Sequence, residues 1–289
     1  MPSVFELSVT PPFLFIITFI FGLTIGSFLN VVIYRLPKMM ERDWKLQCYE
    51  MLEQTAPALP RITLSTPNST CPSCGHEIRP WENIPVLSYL FLKGKCSGCK
   101  NPISARYPII ELTSGILSVI TIYHFGPTLA GLAGLFMVWT LITLTMIDFD
   151  TQLLPDSMTL PLLWSGLILN FYGTFTTLEA ALWGAVAGYL SLWSVYWLFK
   201  LLTGKEGMGY GDFKLLAALG AWLGWQQLPA IILLSSLVGA VVGIALIIFQ
   251  GRDKSIPIPF GPYLAAAGWL AMLWGQDITN AYLHYARIG

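Results

Sequence analysis

The chain has 289 residues, with 16 basic and 16 acidic side chains and a formal net charge of zero. Hydrophobic residues make up 55% and charged residues 11%, against about 25% charged in soluble domains. That balance excludes a basic nucleic-acid-binding surface. The charges cluster and leave long apolar runs between them, which excludes a soluble enzyme and makes the bilayer the main solvent.

Residues 1–10 hold one Glu and no Lys or Arg, so the positive region of a cleaved signal peptide is missing. The first apolar run, Pro12 to Tyr34, is also too long for a signal core. Eight spans are predicted, at 12–34, 107–125, 128–147, 157–173, 178–202, 212–225, 227–249 and 260–283; the sixth is short. The fold class is therefore an all-α polytopic membrane protein of about eight transmembrane helices. Three regions follow: 1–34, the first transmembrane helix; 35–106, a small polar loop domain; and 107–289, a seven-helix membrane domain.

Cytoplasmic loops carry the excess of Lys and Arg. The long loop holds Arg35, Lys38, Arg42, Lys45, Arg61, Arg79, Lys93, Lys95, Lys100 and Arg106, 10 of the 16 basic residues. It is therefore assigned to the cytoplasm and the N-terminus to the outside. Threading eight spans from there puts Lys200, Lys205, Lys214, Arg252 and Lys254 on or near the inner side and only Arg287 outside. Within the loop, Lys38 to Gln54 reads as a helix whose stripe of Met40, Trp44, Cys48 and Met51 lies on the membrane surface or packs on the loop domain. The pairs Gly22/Gly26, Gly184/Gly188 and Gly239/Gly243 have the spacing that lets helix backbones approach closely in lipid.

All five cysteines fall in this loop. Cys71-Pro-Ser-Cys74 and Cys96-Ser-Gly-Cys99 form two C-x-x-C knuckles with 21 residues between Cys74 and Cys96. Two knuckles offer four thiolates in the tetrahedral set that suits Zn2+, a closed site with a structural role. Arg79, Lys93, Lys95 and Lys100 are close in sequence to offset its negative charge. Two disulfides or unligated thiols are the alternatives, and stable disulfides are disfavoured in a cytoplasmic loop. Cys48 reads as a lone buried thiol, and His76 is not needed as a ligand.

Acidic residues inside spans are costly, so each is a functional hypothesis. Ile147-Asp148-Phe149-Asp150 closes the third span, and Gly209-Tyr210-Gly211-Asp212 opens the sixth. The threading puts both at inner helix ends, where two carboxylates could share a proton and activate water for attack on a carbonyl. The residue pattern by itself does not separate Asp148 from Asp150. The glycines before Asp212 would let a substrate backbone approach closely. Asp156 reads as the N-cap of the fourth span, and Asp212 could cap its own helix. Glu111 reads as an ion-pair partner of Arg106, with a ligand contact as the alternative. His124 and Glu179 read as outer-interface residues.

These segments carry a resemblance. Ile-Asp-Phe-Asp-x-x-x-Leu-Pro-Asp at 147–156 and Gly-Tyr-Gly-Asp at 209–212 resemble the type IV prepilin peptidases. So do Cys-Pro-x-Cys-Gly-His-Glu-Ile-Arg-Pro-Trp-Glu-Asn-Ile-Pro at 71–85, Gly-Lys-Cys-x-x-Cys at 94–99 and Arg-Tyr-Pro-x-x-Glu at 106–111. The resemblance covers almost the whole chain. It implies a multi-pass bacterial inner-membrane aspartyl endopeptidase with its active site facing the cytoplasm. Asp148 and Asp212 would then be the catalytic pair, and the basic leaders of type IV prepilins and type II secretion pseudopilins would be cut after Gly. It also implies N-methylation of the new terminus with S-adenosylmethionine, an activity associated with the four-cysteine loop. Glu82, Asn83, Gly94, Lys95, Arg106, Tyr107 and Glu111 are the candidates for the methyl-donor site. The partners are prepilin-type substrates and membrane lipid, with no nucleic acid. Three rival readings are an ion or proton transporter, a non-enzymatic assembly subunit with a zinc domain, and a redox role for the C-x-x-C pairs.

Overall fold

The computed structural model describes residues 12–250 and 258–285. The readings of residues 1–10 and of Arg252, Lys254 and Arg287 lie outside the described residues. Among the described residues the chain forms nine α-helices and no extended strand. They are α1 (Pro12–Met51), α2 (Leu87–Phe91), α3 (Arg106–Phe125), α4 (Leu129–Thr151), α5 (Asp156–Phe171), α6 (Leu178–Thr203), α7 (Tyr210–Leu223), α8 (Leu228–Gln250) and α9 (Gly261–Tyr285). A helix stands at every predicted span. Five segments are long and apolar enough to cross a membrane: Pro12–Met51, Arg106–Phe125, Leu129–Thr151, Leu178–Thr203 and Trp225–Phe249. Helices α5 and α7 are shorter, with 16 and 14 residues. Helix α9 is interrupted at Trp274, which leaves helical φ/ψ.

The chain divides into two compact units, one through Tyr123 and one from His124. In the first unit, α1 runs unbroken for 40 residues, about 60 Å at 1.5 Å per residue, twice a hydrocarbon core of about 30 Å. The helix predicted in the loop is therefore a direct continuation of the first span. Its stripe is not packed: Trp44, Cys48 and Met51 are exposed, which corrects the reading of Cys48 as buried. Arg35 is buried and ties α1 to the loop, donating to the carbonyls of Thr63 (2.9 Å) and Pro67 (2.7 Å). Gly22 and Gly26 face the backbone of α3, where a Cβ on either would stand under 3 Å from the Cα of Gly115 or Glu111.

In the second unit, α7 is the central rod. Phe213, Leu215, Leu216, Leu219 and Trp222 are fully buried, so it is apolar all round, as expected of an element enclosed by other helices. Helices α5, α6 and α9 pack around it. Gly184 and Gly220 put the backbones of α6 and α7 in direct contact, and a Cβ on Gly188 would sit 2.7 Å from the Leu216 carbonyl. Asn170 locks the far end of α7. Its Nδ2 donates to the carbonyls of Ala221 (2.8 Å) and Trp222 (2.9 Å), and its Oδ1 accepts from Phe175 and Thr176 N–H (both 3.0 Å).

Candidate active site and cysteine centre

Asp148 lies in the last turn of α4, which stops where Gln152 turns left-handed and returns its N–H to the Asp148 carbonyl. Asp212 lies in the first turn of α7, its N–H directed at the Gly209 carbonyl (3.3 Å). Both side chains are buried, at 5% and 7% exposure, whereas Asp150 is exposed. Burial thus separates the two acidic residues of α4 that the sequence leaves equivalent. Asp148 Oδ2 accepts from the N–H of Gly261, at the start of α9 (3.0 Å). Leu154 links the two acidic positions. A Cβ on Gly211 would lie 2.7 Å from Leu154 Cβ, and one on Gly261 would lie 3.2 Å from the Leu154 methyls. Gly261, which holds Asp148, and Gly211, which precedes Asp212, thus lie against the same leucine side chain. Beside Asp212, a Cβ on Gly209 would stand 3.9 Å from Oδ2, at ordinary van der Waals distance.

Two further sets of contacts hold this region. Glu206 accepts from Lys200 (2.8 Å), and Lys200 also donates to Tyr196 Oη (3.2 Å). The Tyr196 ring packs on Tyr210, with centroids 5.2 Å apart. The turn before Asp212 is therefore anchored to α6. Asp156 is the first residue of α5 and Pro155 its N-cap, which corrects the N-cap reading. The Asp156 carboxylate instead receives Lys214 Nζ on both oxygens at 2.7 Å. The N-cap of α7 is Gly209, so Asp212 does not cap that helix.

In the first unit, Cys71, Cys74, Cys96 and Cys99 bring their sulfurs within 4.8 Å of one another. The cross-knuckle pairs Cys71–Cys99 and Cys74–Cys96 are 3.9 and 4.0 Å apart. A tetrahedron with Zn–S bonds of about 2.3 Å has S···S edges of about 3.8 Å, so the donor set fits Zn2+. Each knuckle tips a minimal hairpin closed by one bridge, Thr70 with Glu77 and Lys95 with Pro102. The residue after each second cysteine, Gly75 or Lys100, is left-handed. The N–H groups of Ser73 and Cys74 pull the Cys71 thiol down to about 6. At Cys74 the His76 N–H pulls the same way, but the crowding thiols, Cys99 first, push it up to about 11. Four sulfurs this close resist becoming thiolates together without a cation among them. His76 is not in the cluster. Its Nε2 contacts Ser97 Oγ (3.0 Å) in the second knuckle and Glu82 Oε2 (3.1 Å), so it braces one knuckle against the other.

The remaining candidates divide into groups. Asn83 and Glu111 meet at Ser27: Asn83 Oδ1 accepts from its hydroxyl (3.4 Å), and Ser27 also bonds Glu111. Glu111 is buried and its Oε2 accepts from Val86 N–H (2.7 Å), a different partner from the Arg106 that the sequence suggested. Tyr107 is adjacent, its carbonyl accepting from Asn30 Nδ2 (3.3 Å) and its ring half-exposed, with Arg106 next to it at the start of α3. Glu82 faces the knuckles and accepts from Arg79 N–H (2.9 Å). Gly94 and Lys95 lead into the second knuckle, Gly94 with φ +66° and its Cα against the Tyr89 ring. Gly261 and Val86 carry no signal in the sequence, and Leu154 and Lys214 lie in or beside the acidic motifs without showing their contacts. Gly261 and Leu154 could be found only by knowing which helix ends converge, although Lys214 stands two residues after Asp212.

An all-α polytopic chain with two buried carboxylates at helix ends and a metal-competent four-cysteine loop has the composition of an intramembrane hydrolase. A family described as Bacterial Peptidase A24 N-terminal domain matches residues 20–125. The Type IV leader peptidase family matches residues 135–244. A prepilin leader peptidase/N-methyltransferase of Stutzerimonas stutzeri is 61% identical over 270 residues, 93% of each chain. One from Pseudomonas aeruginosa is 57% identical over 287 residues, 99% of each chain. One from Aeromonas hydrophila is 56% identical over 286 residues, 98% of this chain and 99% of that one. No solved structure matches the chain. The chain belongs to the peptidase A24 family of type IV prepilin leader peptidase/N-methyltransferases.

Proposed function

We infer that this chain is a prepilin leader peptidase and N-methyltransferase, and we propose that Asp148 and Asp212 are its peptidase dyad. The reading rests on one observation above others: two buried carboxylates, 64 positions apart in sequence, converge where α4 ends and α7 begins. One carboxylate takes a proton from water as the water oxygen attacks the scissile carbonyl. The other, protonated, donates to the carbonyl oxygen as it gains charge. Collapse of the tetrahedral intermediate breaks the C–N bond, and the departing amine takes up a proton. The proton belongs to the pair rather than to either member. Gly261 N–H fixes the orientation of Asp148, and the glycines before Asp212 would let a substrate backbone approach closely.

The proposal extends to eight transmembrane helices in a bacterial inner membrane, with the dyad at the cytoplasmic face. The substrates are prepilins and type II secretion pseudopilins, cut after Gly. Cys71, Cys74, Cys96 and Cys99 would hold a structural Zn2+, closed to substrate. S-adenosylmethionine would supply the methyl group for the new N-terminal amine. Asn83, Tyr107 and Glu111, gathered around Ser27 and Asn30, are better placed to hold it than Glu82, whose carboxylate is engaged by Arg79 and His76. Gly94, Lys95 and Arg106 complete the candidate set. Purified enzyme assayed on a prepilin tests the peptidase reading. Asp148→Asn and Asp212→Asn should each abolish cleavage while the protein stays folded and still methylates a pre-cleaved peptide. Cleavage surviving either change removes the dyad. A transporter or a bare assembly subunit would leave the prepilin uncut even as wild type.

A further inference from the structure

A cavity of about 350 Å3 opens between α6, α8 and the start of α9. Its walls are almost wholly apolar, among them Leu192, Met208, Ile232, Phe260 and Tyr263. Two of these residues adjoin the dyad in the chain. Met208 immediately precedes the Gly209–Asp212 turn, and Phe260 immediately precedes Gly261, whose N–H binds Asp148. The cavity is therefore walled in part by the residues that immediately precede the two turns carrying Asp212 and the Asp148 contact. The two helices that flank it, α6 and α8, are both apolar enough to cross a membrane. Val195 of its lining is exposed.

Small residues make the space. Gly239 and Ala240 of α8 line it, and a Cβ on Gly239 would already press on the Tyr263 ring at 3.2 Å. Gly239 and Gly243 have the spacing of a helix-packing pair, yet Gly239 faces this ring and Gly243 the Ile258 side chain. They differ in this from Gly184 and Gly188, which meet the backbone of α7. Gly239 thus seats the Tyr263 ring of α9, while Ala240 beside it keeps the cleft wall low.

We propose that this cleft is the side-chain subsite of the peptidase, holding the apolar residue next to the scissile bond on the membrane-embedded side of the substrate. The proposal rests on the dyad reading. An apolar lining adjacent to carboxylates divides the substrate chemically: the polar peptide group goes to Asp148 and Asp212, and a large apolar side chain goes to the cleft. A cavity of this size is at the small end of ligand sites and takes one or two such side chains.

The test uses the detergent-solubilised full-length enzyme and prepilin peptides with Phe, Leu or Ala as the first residue on the membrane-embedded side of the bond. Ala240→Trp and Ser236→Phe narrow the cleft. Each should lower the Phe-to-Ala ratio of kcat/KM by about 10-fold or more, mainly through KM for the Phe peptide. An unchanged ratio in both variants overturns the proposal. A second measurement does not depend on how those variants fold. In Asp212→Asn enzyme, a benzophenone side chain at the same substrate position should crosslink to Met208 or Phe260, and crosslinks confined to other helices overturn the assignment. The dyad reading fails separately, if Asp212→Asn still cleaves.

Discussion

The N–H of Gly261 reaches Asp148 Oδ2 across 3.0 Å, although the two residues are 113 positions apart in the chain. This contact joins the last turn of α4 to the first residue of α9. A Cβ on Gly261 would lie 2.7 Å from that oxygen. Gly261→Ala should therefore displace the carboxylate and weaken the bond. A charge-assisted hydrogen bond is worth about 1.5–3 kcal/mol, so prepilin cleavage should fall roughly 10- to 100-fold. Methylation of a pre-cleaved peptide should hold. Equal loss of both activities would point to misfolding instead.

Lys214 and Asp156 are both partly exposed, so the pair should add no more than about 1 kcal/mol to stability. Its effect on cleavage should be larger, because Lys214 lies one half-turn beyond Asp212 and its partner begins α5. Lys214→Met and Asp156→Asn should each reduce kcat with little change in thermal stability. The double exchange Asp156→Lys with Lys214→Asp should recover part of the loss. Lack of any recovery would show that the ion pair does not position α7.

Asn170 makes four hydrogen bonds in a buried site. Asn170→Leu strands two carbonyls at the end of α7 and two N–H groups at 175 and 176. Each unpaired buried group costs about 1–3 kcal/mol, so the melting temperature in detergent should drop by several degrees. A change no larger than that of an exposed control substitution on α8 would refute this account.

Metal analysis of purified protein should find about one zinc per chain. Cys71→Ser or Cys96→Ser should lower it sharply, since four thiolates act as one closed set. His76→Ala should keep the metal while loosening the contact between the knuckles. Loss of zinc in His76→Ala equal to that in Cys71→Ser would make the histidine a ligand.

The Glu82 carboxyl is held down at about 2 by the Arg79 N–H first, then by Ser97 and His76. A carboxyl whose folded pKa is depressed stabilises the fold above its ordinary value of 4.5, and that contribution is lost as pH falls toward 2. Unfolding of the loop region should therefore become easier across that window, followed by the fluorescence of Trp81. Glu82→Gln should flatten the dependence. A wild-type profile no steeper than that of the variant would refute the linkage.

The helices were legible because apolar runs longer than a turn have few alternatives in lipid, where every backbone group must bond within its own helix. The C-x-x-C spacing was legible because a knuckle is a local turn, and Cys71–Gly75 and Cys96–Lys100 close the same two hydrogen bonds. The proposed dyad was only half legible: Asp148 and Asp150 share a motif, and burial by distant helices is what sets them apart. The sequence predicts the loop helix as a separate element, whereas it continues the first span, because Pro37 falls inside α1 without ending it.

Composition and spacing alone determined that this is a polytopic helical protein with acidic residues at two helix ends and a four-thiol loop. These are properties of single segments, set by local hydrogen bonding and transfer into lipid. Tertiary structure decided which oxygen Gly261 holds, that Glu111 faces Val86, that Asp156 pairs with Lys214, and that Met208 and Phe260 share the wall of one apolar cavity. Those depend on close packing between segments far apart in the chain, which pattern within a segment does not encode.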